Sequence, residues 1–256
     1  MPYIGPQHYD WGYHGGRKHS QHGSHSKPAP HYYLDDPVSR EDYLKMVTEI
    51  VTTYKDDPRV CLWDVYNEPG NSKRSEITYP NLVRMFETVR ACDPSQPVSC
   101  DPFGFSGDED QPLSQIAEYV LNNSDIICYH SYGNYETQVR IIKRLKKYGR
   151  PMICTEWLAR TCGSDVFRLF PLFYLEKIGC INWGFVAGLY QTYEPWEGLW
   201  EGFYKGTQTD LDFTVWFHDL YRPNHRPYDP REIDLIKKFC ALADQDFQRE
   251  QNNATR

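Results

Sequence analysis

Short apolar segments alternate with amphipathic segments of helical length, and this alternation constrains the fold more than any other feature of the sequence. Five segments rich in β-branched and aromatic residues predict buried strands at 59–66, 97–101, 124–132, 151–157 and 179–188. Apolar residues at helical spacing predict six helices near 39–55, 79–92, 112–122, 135–148, 164–177 and 230–243. Apolar strands separated by helices are typical of a parallel sheet covered on both faces, which is an α/β fold.

Two α/β architectures fit this pattern: a closed (β/α)8 TIM barrel and an open doubly wound sheet. A closed barrel has eight strands, and only about five βα units are recognisable, so a barrel would be incomplete at the amino terminus and the chain a fragment. The 256 residues fit one domain. We therefore expect a single partial barrel over 1–256, in which the Gly-, Pro- and His-rich stretch 1–38 is an irregular loop segment.

Charge and hydropathy limit the partners of the chain. A formal net charge of -7 argues against nucleic acid or an acidic membrane surface and favours a neutral substrate. The sequence contains no run of 18 apolar residues, so no membrane span is predicted. The first residues lack a charged stretch followed by an apolar one, so we expect no export signal in the chain as written, and a cytoplasmic location unless the amino terminus is truncated.

Cysteine and histidine residues offer metal-binding or disulfide alternatives. The eight cysteines form no CxxC pair, and five of them lie in predicted strands, which favours buried reduced thiols: Cys61, Cys100, Cys128, Cys154 and Cys180. Six of the nine histidines lie within 1–38: His8, His14, His19, His22, His25 and His31. Their irregular spacing, without cysteines or a tight carboxylate cluster, disfavours a metal site, and we expect no metal or cofactor.

Polar residues follow three predicted strands at their carboxyl ends, which in a parallel sheet meet at one rim. These residues are Glu68 after the first strand, His130 and Tyr132 at the third, and Glu156 at the fourth. Cleavage of a glycosidic bond requires such a pair of carboxyl groups, one protonated and one ionised. Each glutamate taken alone is also compatible with a salt bridge or a helix cap.

The same segments carry a family resemblance that covers about residues 55–190. WDVYNEPGN, CYHSY, PMICTEW and INWGFVAG resemble, in order, the fourth, sixth, seventh and eighth strand motifs of the retaining glycoside hydrolases that include the family 5 cellulases and mannanases. The later WFHDLYRPNHRPYDPREIDLIKKF resembles the carboxyl-terminal segment of bacterial cellulase-like or 1,4-β-xylanase-like members.

The resemblance implies a role for six residues. Glu68 would be the acid/base and Glu156 the nucleophile of a double-displacement hydrolase of β-glycosides, with an oligosaccharide or polysaccharide substrate. Substrate contacts are implied for Asn67, His130, Tyr132 and Trp183, with Tyr132 also donating to the nucleophile. Two alternatives stay open: an inactive carbohydrate-binding remnant of such a barrel, and a metal-dependent hydrolase that uses the amino-terminal histidines.

Three neighbouring features have less specific readings. Trp157 follows Glu156 in an extended strand, so its side chain is expected on the opposite face, in the core or at the rim. Arg160 is interpreted as solvated, with a sugar contact or an acid partner as alternatives. The aromatic stretch 190–206 is predicted to be a loop that forms a subsite wall or folds upon itself.

Overall fold

The computed structural model describes residues 34–188 and 191–254, without the side chains of Ser72 and Glu197. The amino-terminal histidines and residues 1–33 of the predicted loop segment 1–38 lie outside these residues, and the described end of that segment enters a helix at Pro37. The elements in chain order are α1 (Pro37–Tyr54), β1 (Trp63–Asn67), α2 (Ser75–Ala91), β2 (Val98–Asp101), α3 (Gln115–Asn123), β3 (Ile127–His130), α4 (Tyr135–Lys146), β4 (Met152–Glu156), α5 (Val166–Leu175), β5 (Gly179–Cys180), α6 (Glu197–Tyr204) and α7 (Pro230–Ala254). The alternation of strands and helices follows the prediction up to β5. Helix α6 contradicts it, because the aromatic stretch 190–206 was predicted to be a loop.

The described chain divides into two compact units. The first contains residues 34–131 and 139–155, and the second contains 132–138, 156–188 and 191–254. The expectation of a single domain stays a prediction.

The first unit is built on parallel strands. Strand β1 pairs with β2 in parallel, with Trp63 opposite Val98 and an irregular register between Asp64 and Asn67. Asp125 N donates to Val98 O at 2.8 Å and thereby joins the approach to β3 to β2. Strands β3 and β4 are neighbours in a second sheet. Since carboxyl ends of parallel strands share one edge, this order brings the polar residues that follow β1 and β2 to the same rim.

The core of the first unit lies between these strands and helices α1 to α3. Five of its side chains are 0% exposed: Val47 and Val51 of α1, Leu82 and Met85 of α2, and Val65 of β1. Burying each such side chain contributes about 1.5–3 kcal/mol, so the apolar spacing of the helices explains which faces turn inward. Among the described residues, none of the helices has both the length and the apolarity needed to cross a bilayer.

The start of α1 differs from the sequence-based expectation. Ser39 and Asp42 resemble a capping box, but the helix begins at Pro37 and its N-cap is Asp36, whose carboxylate accepts from Ser39 N at 2.7 Å. Proline at the first helical position has no N–H to satisfy, so Asp36 followed by Pro37 is the better start.

The core of the second unit is aromatic. Trp157 is 1% exposed and packs edge-on against Phe173 of α5 with ring centroids 5.2 Å apart. The alternative that assigned Trp157 to the core is therefore confirmed. The predicted strand 179–188 is ordered as a strand only at β5, and Gly184 beyond it has φ +78°. A residue at positive φ leaves the extended region, so the strand cannot continue through it.

None of the eight cysteines, all of which lie in the described part of the chain, forms a disulfide. Cys100, Cys128 and Cys154 are buried as predicted, whereas Cys61 is exposed and Cys180 half-buried. Cys61 was expected inside a strand, but β1 begins two residues later at Trp63, and Cys61 lies in the approach to it.

Candidate active site

Glu68 directly follows β1 in a strained backbone conformation. Its φ is 46°, in the left-handed region that a residue with a side chain rarely adopts. Such strain costs about 1–3 kcal/mol and is concentrated at functional sites. The residue is 8% exposed, and its Oε2 accepts a hydrogen bond from Asn71 Nδ2 at 2.8 Å. The carboxyl group is thus fixed on one side by a residue of the loop that follows it.

His130 ends β3 and bridges two carboxyl groups of the first unit. Its Nδ1 lies 2.7 Å from Glu68 Oε1, and its Nε2 makes a short contact with Asp101 Oδ2. The side chains of His130 and Asp101 are 6% and 3% exposed. Both ring nitrogens therefore have a carboxylate partner, and a direct sugar contact by a ring nitrogen would have to displace one of them.

Glu156 is the last residue of β4 and has a tyrosine partner in the second unit. Tyr132 Oη donates to Glu156 Oε2 at 2.5 Å. The Tyr132 ring is itself held by Trp196, edge-on at 5.0 Å between centroids, and by His218 at 5.3 Å. The contact between Tyr132 and Glu156 implied by the family resemblance is present.

Asn67 and Trp183 are both partly accessible to solvent. Asn67 ends β1 opposite Asp101 of β2 and is half-buried. Trp183 is half-buried, and its N–H donates to Trp157 O at 3.0 Å. These positions leave part of each side chain accessible, as a substrate contact requires, and the predicted roles of both residues stay predictions.

Arg160 is not solvated. It forms a two-pronged ion pair with Glu232 of α7, with Nε to Oε1 at 2.8 Å and Nη2 to Oε2 at 2.6 Å, and the two side chains are 6% and 3% exposed. The interpretation as a surface residue is wrong, and the alternative of an acid partner is correct. The guanidinium also lies over the Tyr228 ring at 4.7 Å.

Four residues around these glutamates were missed by sequence reasoning: Asp101, Asn71, Trp196 and His218. Asp101 carries a recognisable signal, since it is the last residue of a predicted strand and is followed by Pro102, just as Glu68 is followed by Pro69. Asn71, Trp196 and His218 lie in segments without strand or helix periodicity. Trp196 and His218 contact Tyr132, which is distant from them in the chain, although Trp196 belongs to the aromatic stretch 190–206. Asn71 lies three residues after Glu68, within the segment WDVYNEPGN, but nothing in that segment indicates which of its side chains contacts the glutamate.

One cluster in the first unit has the composition of a metal site. Ligand atoms of Asp64, Cys100 and Asp101 lie within 4.8 Å of one another, and all three residues are buried. Burial raises the pKa of the Cys100 thiol well above its usual value, so the thiol stays protonated. A thiol must lose this proton to bind a metal, so metal binding at this cluster would release a proton.

Residues 14–189 match the sequence profile of a family described as glycosyl hydrolases family 2, TIM barrel domain. The match covers the candidate catalytic residues Glu68 and Glu156. It supports the expected barrel fold, and it supports the expectation that the chain is related to the glycoside hydrolases. It does not support family 5, nor the cellulase-like assignment, because the family that matches is family 2.

Curated relatives are similar over about half of the chain. The chain is 31% identical over 152 residues to a β-glucuronidase of Pongo abelii and 30% identical over 152 residues to that of Homo sapiens. Each alignment covers 55% of this chain and 22% of the relative. The alignments thus span about a fifth of the length of these relatives.

Solved structures share the fold. The structure of a β-D-glucuronidase for Dictyoglomus thermophilum has a TM-score of 0.52 at 17% identity. The superposition covers 80% of this chain and 36% of the glucuronidase chain. The structure of a GH2 β-galacturonidase from Eisenbergiella tayi bound to galacturonate has a TM-score of 0.51 at 12% identity. This superposition covers 80% of this chain and 38% of the galacturonidase chain. At these identities the likeness supports the incomplete barrel and nothing finer.

Proposed function

Because the chain belongs to the glycosyl hydrolases family 2, TIM barrel domain, we propose that it cleaves β-glycosidic bonds with retention of configuration, with Glu156 as the nucleophile and Glu68 as the acid/base. One observation carries the proposal: each glutamate lies at the carboxyl end of a strand, and each is held by a specific polar side chain. In a TIM barrel such strand ends form the catalytic face.

The proposed reaction has two steps. In the first, Glu156 attacks the anomeric carbon while Glu68 gives its proton to the departing oxygen, which forms a glycosyl ester on Glu156 and a free alcohol. In the second, Glu68 takes a proton from water, whose oxygen attacks the anomeric carbon and releases Glu156. Retention requires about 5–5.5 Å between the two carboxyl groups, and no cofactor takes part.

The surroundings of Glu156 suit a nucleophile. A nucleophilic carboxylate must be ionised, and Tyr132 Oη donates its proton toward Oε2 at 2.5 Å. A hydrogen bond from a neutral donor favours the charged form of the acceptor. Trp196 and His218 fix the tyrosine ring, so that the donor is already oriented before the sugar arrives.

The surroundings of Glu68 suit a group that both gives and takes a proton. It is 8% exposed, and burial disfavours the ionised form of a carboxyl group. The strained backbone and the hydrogen bond from Asn71 hold one orientation. For the sugar, we propose contacts to Asn67, His130, Tyr132 and the Trp183 ring.

The curated relatives suggest the substrate. They are named β-glucuronidases and are 30–31% identical over 152 residues, so a β-glucuronide is the first sugar to test. Neutral β-glycosides are the alternative that the acidic net charge of -7 favours, since it opposes binding of an acidic sugar at long range.

The test is a comparison of 4-nitrophenyl β-glycosides, with glucuronide, glucoside, galactoside and xyloside assayed side by side. We expect turnover of one of them, with losses of at least about a thousandfold in Glu156→Ala and Glu68→Ala. Azide added to Glu156→Ala should restore cleavage with an α-glycosyl azide as product, whereas azide added to Glu68→Ala should give the β-glycosyl azide. Glu87→Gln, on the exposed side of α2, is the matched control.

The outcomes separate the proposal from its alternatives. Turnover that is unchanged in both alanine variants contradicts the assigned pair. Binding of a glycoside without any turnover supports the inactive carbohydrate-binding remnant. Loss of turnover with a chelator, restored by a divalent metal, supports the metal-dependent hydrolase instead.

A further inference from the structure

We propose that Asp101 is a positioning residue for the acid/base: it fixes the proton on Nε2 of His130, so that Nδ1 of the same ring shares a single proton with Glu68. The inference rests on the proposed role of Glu68 and adds to it a device that keeps this proton available. It is carried by three side chains in line within the first unit, Asp101, His130 and Glu68.

The line begins at Asp101, which ends β2. The side chain is 3% exposed, and its Oδ2 contacts His130 Nε2. The Thr155 hydroxyl is 3.4 Å from the same oxygen, and Oδ1 has no hydrogen-bond partner among the described residues. A buried carboxylate without a cationic arginine or lysine needs a donor, and the imidazole N–H provides it.

The second contact is fixed by the first. A carboxylate accepts and does not donate, so Nε2 of His130 must carry a hydrogen toward Asp101. Nδ1 then faces Glu68 Oε1 at 2.7 Å, a distance at which one of the two atoms must hold a proton. The proton is on Nδ1 or on Oε1, and in both cases the three side chains have the same net charge of minus one. Glu68 can therefore become a carboxylic acid without any proton entering from water.

This arrangement matches both halves of the proposed reaction. When Glu68 gives its proton to the leaving oxygen, the bare Nδ1 is left facing an ionised Oε1, and two lone pairs oppose each other. The following step, in which Glu68 accepts a proton from water, removes this opposition. Asp101 thus favours the return of the proton in the second step, because the ring cannot rotate its remaining N–H away from Asp101 without leaving that carboxylate unpaired.

Several other groups surround Asp101. Asp64 of β1 and Cys100 lie close to it. The charge of Asp101 also raises the pKa of the Cys128 thiol of β3. Burial raises the pKa of both thiols well above the usual value, so that they are neutral. Asn71 at Glu68 is uncharged. Glu156, which the proposed mechanism places at the same sugar, adds a negative charge that the variants below leave unchanged.

Asp101→Asn is the informative variant, since it keeps the size of the side chain and removes the charge. The negative charge of Asp101 opposes loss of the shared proton. Without it, the basic limb of the profile of kcat/KM against pH should move to lower pH by about one unit or more. Asp64→Asn, at another buried carboxyl group that lies close to Asp101, is the comparison and should move the limb less. An equal shift in both variants, or no shift in Asp101→Asn, overturns the proposal.

The leaving group gives a second readout. A 2,4-dinitrophenolate leaves without protonation, whereas a methylumbelliferyl or phenyl leaving group needs the acid. Asp101→Asn should therefore reduce the kcat/KM of the phenyl glycoside more than that of the dinitrophenyl glycoside. A purely structural role predicts equal losses on both substrates, and that result contradicts the inference.

A third measurement needs neither activity nor an Asp101 variant that folds. Nitrogen NMR of the full chain labelled with ¹⁵N-histidine, with His130 assigned by its loss in His130→Gln, reports which ring nitrogen keeps its proton as the pH is raised. We expect Nε2 to keep it. If Nδ1 keeps it, the inference is wrong even where Glu68 is the acid/base. If Nε2 keeps it and no glycoside is turned over, the proposed function fails while the proton arrangement stands.

Discussion

Tyr132 Oη donates a 2.5 Å hydrogen bond to Glu156 Oε2, and this contact joins the residue two positions after β3 to the last residue of β4. The two positions are 24 residues apart, with helix α4 between them. A tyrosine hydroxyl in this position stabilises an ionised carboxylate before substrate binds, which is the state that a nucleophile requires.

Tyr132→Phe should reduce kcat/KM by roughly 10- to 100-fold. A hydrogen bond to a charged group contributes about 1.5–3 kcal/mol, and each 1.36 kcal/mol corresponds to about tenfold in rate. The ring remains and can still pack against Trp196, so the loss reports the hydroxyl. Tyr135→Phe, at a residue that is 40% exposed, is the control and should leave the rate within about twofold. An unchanged rate in Tyr132→Phe would remove the support that this contact gives to Glu156.

Arg160→Gln should lower the free energy of unfolding by about 3–5 kcal/mol. The substitution leaves Glu232, whose side chain is 3% exposed, buried without its charged partner. Arg84→Gln breaks a pair of the same type with Glu41, in which the side chains are 42% and 53% exposed, and should cost less than about 1 kcal/mol. Urea unfolding measures both, and equal costs would contradict the importance of burial.

Asp125→Asn should reduce stability at neutral pH but not in acid. Burial raises the pKa of Asp125, but hydrogen bonds from Arg90 and from the Val98 N–H outweigh it, and the resulting pKa lies below the usual value. Stabilisation from a lowered pKa is present above the unfolded-state pKa and is lost as the pH falls through the folded-state pKa.

The expected loss for Asp125→Asn is about 1 kcal/mol at pH 7, since the Asp125 and Arg90 side chains are 43% and 41% exposed and solvent screens the pair. It should shrink as the pH falls through the lowered pKa of Asp125, because the wild-type carboxyl then becomes protonated. Asp56→Asn, on an exposed residue, is the control. A loss that is the same at both pH values would indicate a packing defect rather than a lost charge.

The sequence predicted those parts of the fold that depend on local apolar spacing. Val47 and Val51 repeat at helical spacing and are buried where α1 contacts the core. The same reasoning failed at 179–188, where apolar residues suggest a strand but Gly184 adopts φ +78°. Composition does not reveal the backbone angle of a glycine, because glycine accepts both signs of φ.

The candidate site was predictable to the extent that strand ends are. Glu68, His130 and Glu156 each end or directly follow a strand. In a parallel sheet such residues lie at the edge formed by the carboxyl ends of the strands, where active sites are found. The contact of His130 with Asp101 was not predictable in the same way. It depends on the register of neighbouring strands and on side-chain rotamers, and neither has a signal in the linear sequence.

Gly184→Ala is predicted to be far more costly than an alanine at another glycine of positive φ. A Cβ at Gly184 would lie 2.7 Å from His218 Cβ and 2.9 Å from Asp219 Oδ1. Both distances are shorter than Cβ atoms show in real proteins, so these neighbours would have to move. Gly149 has a similar φ of +63°, but a Cβ there meets nothing within 4 Å. Gly149→Ala therefore measures the backbone strain alone, which costs about 1–2 kcal/mol.

The difference between the two alanine variants isolates the steric conflict. Overpacking a filled site costs about 1–3 kcal/mol, so Gly184→Ala should lose that amount in addition to the backbone strain. Because His218 contacts the Tyr132 ring at 5.3 Å between centroids, its displacement should also disturb the hydroxyl that donates to Glu156. We therefore expect Gly184→Ala to lower kcat as well as the thermal midpoint, whereas Gly149→Ala lowers the midpoint only. Equal midpoints and unchanged kcat in both variants would show that the segment around Gly184 yields without effect on the tyrosine.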